Sequence, residues 1–182
     1  MTLDTHRTTL LVIDIQAKLA PAIAESEIVI KECEDIVQVA QLLEVETIYT
    51  EQYPKGLGAT VPELKSLLET SAIRLEKLSF SCMSERRCHA KIRDLLKPQV
   101  VVCGMETHVC VLQTVLELID EGYEVFVIEE AVSSRTLKNK QLALARMEAA
   151  GAQIISKEMA IFEWLGSAEH PRFKEISKNF VR

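Results

Sequence analysis

Apolar residues in this chain fall in short β-branched runs that alternate with longer stretches of helical period. The run Thr9-Leu-Leu-Val-Ile-Asp14 is apolar at consecutive positions and ends in one carboxylate, the pattern of a strand buried on both faces. Ser26 is the predicted N-cap of a helix in which Cys33, Ile36, Val37, Ala40 and Leu43 share one face. Further strands are predicted over 45–50, 73–75, 100–103, 124–128 and 153–156, and further helices over 85–96, 109–120 and 138–150. This alternation predicts a three-layer α/β/α, Rossmann-like fold, with a parallel six-stranded sheet, right-handed crossovers and helices on both faces. A length of 182 residues, 48% of them hydrophobic, suits a single domain spanning 1–182.

Sheets of this kind bind ligands beyond the carboxyl ends of their strands. That rule selects four places. Asp14 ends the first strand, Glu51 follows the second, Lys77 follows the third, and the turn from Gly104 to Cys110 follows the fourth. Their convergence on one sheet edge is the strongest functional signal in the chain. Gly104 ends an apolar strand and Val109 begins a helical pattern, so Cys110 is expected in the first turn of a helix. Free amide N–H groups there favour an anion, which predicts a thiol pKa below the ordinary value of about 8.5. For an isolated cysteine, simple burial would be the better reading, and for Asp14 or Lys77 alone an ordinary ion pair would be. Together at one edge they favour chemistry.

Charge narrows the partners. A net charge of -6 opposes a polyanion, so no nucleic acid is expected, and Arg86, Arg87, Lys91, Arg93 and Lys97 are read as a solvated helix face. No apolar run approaches the roughly 20 residues of a membrane span, so no membrane partner is expected. Five cysteines without a cleavable hydrophobic start suggest free thiols and a cytoplasmic location. A mitochondrial location stays open, although the early Asp4 speaks against a transit peptide. The glycine fingerprints of dinucleotide and P-loop sites are missing, and Cys82, Cys88 and His89 lack zinc-site spacing. Neither a cofactor nor a metal is expected.

Three segments, Asp14-Ile-Gln16, Lys77-Leu-Ser-Phe80-Ser81 and Gly104-Met-Glu-Thr107-His-Val-Cys110, resemble in order and spacing the signatures of the isochorismatase-like cysteine hydrolases. The segments 51–58 and 60–64 and Ser133-Ser-Arg135 look closest to the isochorismatase domain-containing branch, some members of which carry a mitochondrial-associated ribonuclease label. The likeness extends to His170-Pro-Arg-Phe-Lys174.

The resemblance implies a catalytic triad of Asp14, Lys77 and Cys110, and a cis Met105–Glu106 peptide that aims the Glu106 N–H, beside that of Cys110, at one oxyanion. It implies hydrolysis of a small amide through a thioester. Gln16, Leu19, Glu51, Tyr53, Phe80, Met105 and Thr107 are expected against the small-molecule substrate, and His108 in a turn or an interface. The metal motif of nicotinamidases, Asp-x-His after the second strand, is replaced here by Glu51-Gln52-Tyr53-Pro54. Glu106 stands where many members have a small residue, and it would either repel anions or recognise an amino group. A homo-oligomer, dimer or higher, is implied as well, and the segment 159–165 with Trp164 is a candidate contact. Two alternatives stand beside the hydrolase: a non-catalytic binding or redox-responsive protein on the same fold, and a ribonuclease, for which the chain offers no histidine pair or carboxylate cluster.

Overall fold

The computed structural model describes residues 2–181. Its strands are β1 (Thr8–Ile13), β2 (Glu46–Gln52), β3 (Ile73–Lys77), β4 (Gln99–Met105), β5 (Glu124–Ser133) and β6 (Gln153–Ile155). Its α-helices are α1 (Ser26–Leu42), α2 (Pro54–Leu57), α3 (Pro62–Ser71), α4 (Arg86–Asp94), α5 (Leu112–Asp120), α6 (Leu137–Ala150), α7 (Lys157–Leu165) and α8 (Phe173–Phe180). The strands form one sheet in the order β3-β2-β1-β4-β5-β6, and every pairing is parallel. This is the expected three-layer α/β/α fold.

Strand alternation sorts side chains into two cores. Leu10, Val12, Tyr49, Val101 and Cys103 face one side, against α1, α3, α7 and α8. Leu11, Ile13, Ile48, Val100 and Val102 face the other, against α4, α5 and α6. Fully burying one such aliphatic side chain stabilises the fold by about 1.5–3 kcal/mol. Strand order reverses direction between β1 and β4, so the crevice at their carboxyl ends is the topological switch point, where such sheets place their ligands.

Several local expectations change. Glu25, in a left-handed conformation at φ 58°, is the N-cap of α1, and Ser26 is already its first helical residue without a capping bond. The strand β5 continues five residues past the predicted Ile128, because its pairing with β4 resumes beyond a shift of register, with Val132 opposite Gly104 and Ser133 opposite Met105. The short helices α2 and α3 begin at Pro54 and Pro62, where proline in the first turn loses no helical bond. Trp164 is buried in the core beside Ile161 and Leu165, and only Met159 and Phe162 of the expected contact segment face out. The reason is that α7 packs its apolar stripe on the sheet.

Candidate active site

Asp14 follows the last residue of β1 and sits at φ 52°, in the left-handed region. The turn shifts the phase of alternation: Ile13 belongs to one core, and Ile15 to the other. Asp14 is thereby carried to the side of Thr50 and Lys77. Its Oδ1 accepts from the Thr50 hydroxyl at 2.7 Å, and its Oδ2 from the Lys77 ammonium at 2.6 Å. Both side chains of this ion pair have no solvent exposure.

Lys77 is the register partner of Gln52. Its Nζ also donates to Gln52 Oε1 and to the Phe80 carbonyl, each at 2.8 Å. Burial by itself would lower the Lys77 pKa, but the Asp14 carboxylate, with Cys82 and Cys110 nearby, outweighs it and the pKa is raised. The ammonium is therefore fully committed.

Cys110 lies in a π-helical turn, Thr107–Val111, that precedes α5. The Glu106 carbonyl accepts from both the Val109 and Val111 N–H groups, at 3.0 and 3.3 Å, and the His108 N–H and ring Nδ1 reach Ser134 Oγ at 3.3 and 2.9 Å. His108 thus anchors the turn to the end of β5. The Met105–Glu106 peptide is cis. Cys110, only 6% exposed, shares the wall of a cavity of about 130 Å³ with Asp14, Leu19, Gln52, Leu57, Phe80, Glu106, Val109 and Arg135.

The expected helix-start activation of the thiol does not hold. Burial pushes the Cys110 thiol up, the Asp14 charge adds to that, and Lys77 offsets only part. The resting group is a thiol. Alkylation of Cys110 by iodoacetamide should have its midpoint well above about pH 8.5, the midpoint of an ordinary thiol, and Asp14→Asn should move that midpoint to lower pH by removing the negative neighbour. Peptide mass mapping across a pH series reads both, and a wild-type midpoint below about 8.5 would refute the expectation.

Of the residues expected against a substrate, Leu19 and Phe80 line the cavity. The others do not. Glu51 is 2% exposed and points to the opposite face of β2, where it accepts from Thr60 N at 2.7 Å and from Arg74 Nε at 3.1 Å. Gln16 is wholly buried and ties Gln52 to Gly58, accepting from the Gln52 N–H at 2.7 Å and donating to the Gly58 carbonyl at 2.6 Å. Tyr53 is half exposed and lines a neighbouring cleft with Leu78, Glu85 and Arg87. Met105 is core, and Thr107 is buried with its hydroxyl unpaired among the described residues. Sequence reasoning missed Gln52, Leu57, Val109 and Arg135. Parity along β2 could have found Gln52, since it shares a face with Thr50 and not with Glu51.

The isochorismatase domain profile matches residues 8–159. The chain belongs to this family of hydrolases. Human isochorismatase domain-containing protein 2 is 40% identical over 172 residues, which is 94% of this chain and 82% of that protein. Among solved structures, the Caenorhabditis elegans MAR1 ribonuclease superposes with a TM-score of 0.92 at 36% identity, covering 98% of this chain and 91% of that one. YcaC from Pseudomonas aeruginosa, solved with hexane-2,5-diol and covalent acrylamide, superposes with a TM-score of 0.91 at 25% identity, covering 99% and 92%. In this isochorismatase-family chain no helix among the described residues is long and apolar enough to cross a membrane.

Proposed function

We propose that this isochorismatase-family chain hydrolyses the C–N bond of a small amide through a thioester on Cys110, with Asp14 as base and then acid. The observation that carries the reading is the solvent-free Asp14–Lys77 pair, 2.6 Å across, in contact with the cavity that holds Cys110. A buried ion pair is a poor stabilising device, because desolvating two charges cancels most of their attraction. Its position beside a thiol supports a chemical role.

In the proposed reaction the Cys110 proton passes to Asp14 as the sulfur bonds to the amide carbonyl carbon. The backbone N–H groups of Glu106 and Cys110 hold the resulting oxyanion, where one lost donor typically costs about 2.7–4 kcal/mol. As the C–N bond breaks, Asp14 returns its proton to the departing nitrogen. Water, giving a proton to Asp14, then attacks the thioester, releasing the acid and restoring the thiol. Lys77 keeps the carboxylate in place throughout. A raised thiol pKa fits this sequence, because the proton is to leave only when the electrophile arrives.

A cavity of about 130 Å³ has room for the volume of about four waters, which suits an amide of roughly four to seven heavy atoms. That size, and a net charge of -6, do not favour RNA, despite the name of the Caenorhabditis elegans neighbour. The acrylamide held covalently by YcaC is a small amide of the proposed size. Ammonia release from a panel of small primary amides should fall by about 10³-fold or more in Cys110→Ala. Release that survives Cys110→Ala, or no release from any amide and no acyl adduct on Cys110, would sink the reading.

A further inference from the structure

Arg135 follows the end of β5, and its side chain is 65% exposed while still lining the Cys110 cavity. Both oxygens of Glu106 are turned to it: Oε1 lies 3.3 Å from the Arg135 Nε, and Oε2 accepts the Arg135 backbone N–H at 3.2 Å. Glu106 therefore grips the guanidinium by its inner edge. The two terminal nitrogens of Arg135 have no acceptor among the described residues. They form a planar fork that matches a carboxylate with two parallel hydrogen bonds.

Arg135 is also the one cation among the residues lining this cavity. The nearby Lys77 has its ammonium spent on Asp14, Gln52 and Phe80. Two carboxylates on this wall would repel an anion, but each is already paired, Glu106 with Arg135 and Asp14 with Lys77. The rest of the wall around Cys110 is Gln52 with the apolar Leu19, Leu57, Phe80 and Val109. A neutral amide would leave the fork unused.

We propose that Arg135 determines specificity by binding a carboxylate on the substrate, with Glu106 as the residue that positions it. The substrate class is then a short anionic amide, its carboxylate on Arg135 and its amide carbonyl over Cys110; malonamate has the size and charge. The proposal rests on Cys110 being the nucleophile.

Iodoacetate and iodoacetamide test it, since they differ only in carrying a carboxylate or a neutral amide. Each reacts by forming an S–C bond to Cys110 and expelling iodide. The ratio of the two rates, divided by the same ratio for glutathione, cancels both intrinsic reactivity and the titration of Cys110. In the wild type this normalised ratio should be about tenfold or more, with a rate that saturates in iodoacetate, as a bidentate carboxylate contact implies. Arg135→Gln should bring it to one or below. A wild-type ratio at or below one, or a ratio that Arg135→Gln leaves intact, overturns the carboxylate site while the nucleophile stands. A Cys110 that neither reagent labels overturns the nucleophile and the proposal together.

Discussion

Lys77→Met should lower stability by about 3–5 kcal/mol, the usual result of removing one partner from a buried ion pair. In the native protein the ammonium satisfies Asp14, Gln52 Oε1 and the Phe80 carbonyl at once. Without it, a carboxylate with no solvent exposure keeps only Thr50 as a hydroxyl donor. Adding Asp14→Asn removes the stranded charge but keeps the shape and the Thr50 contact, so the double variant should recover most of that stability. It should stay inactive, because no carboxylate is left to take the Cys110 proton. Urea melts of the two single variants and the double variant, read with ammonia release, separate the roles. A double variant as unstable as Lys77→Met would mean that shape, and not an unpaired charge, dominates. Activity retained in the double variant would remove Asp14 from the proposed chemistry.

The second large effect is expected at a glycine. A Cβ added to Gly104 would lie 2.1 Å from the Ile13 carbonyl oxygen and 2.7 Å from the Ile13 nitrogen, and the backbone there is at φ 132°. Gly104 pairs with Ile13 in the β1–β4 register, at the switch point, one residue before Asp14. Neither contact is with a flexible side chain, so both strands must spread. Gly104→Ala should therefore cost about 3 kcal/mol or more, combining overpacking with an unfavourable backbone conformation. It should also blunt the dependence of Cys110 alkylation on Asp14, since spreading the strands moves the two groups apart. Thermal melting and the alkylation profile check this, and a variant with an unchanged melting temperature would show that β1 yields there without cost.

Much of the fold was legible because its signals are local. The buried runs at 9–14 and 100–103 and the helical stripe from Cys33 to Leu43 follow from side-chain spacing alone. The rule about strand ends then brought Asp14, Lys77 and Cys110 to one edge, and the structure puts Asp14 against Lys77 and beside the cavity of Cys110. The helices opened by Pro54 and Pro62 were missed because they are short and weakly patterned.

The substrate wall was less legible, and the failures share a cause. Glu51 and Gln52 are neighbours in sequence but point to opposite faces of β2, and only the register with β3, which sets Gln52 beside Lys77, decides which of them reaches the site. Arg135 enters from the end of β5, whose last residues pair with Gly104 and Met105 of β4 only beyond a shift of register. The titration of Cys110 was misjudged for a related reason: the local signal was a helix start, but the thiol is governed by burial and by a carboxylate 96 positions earlier in the chain.

The sequence by itself determined the layer architecture, the family resemblance and the three groups proposed to carry the chemistry, because periodicity and strand-end position are properties of short segments. The tertiary structure alone decided which face Glu51 takes, how Asp14 is turned toward Lys77, the protonation of Cys110 and the pairing of Glu106 with Arg135. Each of these depends on strand register and solvent exclusion, which arise only when residues distant in the chain are packed together.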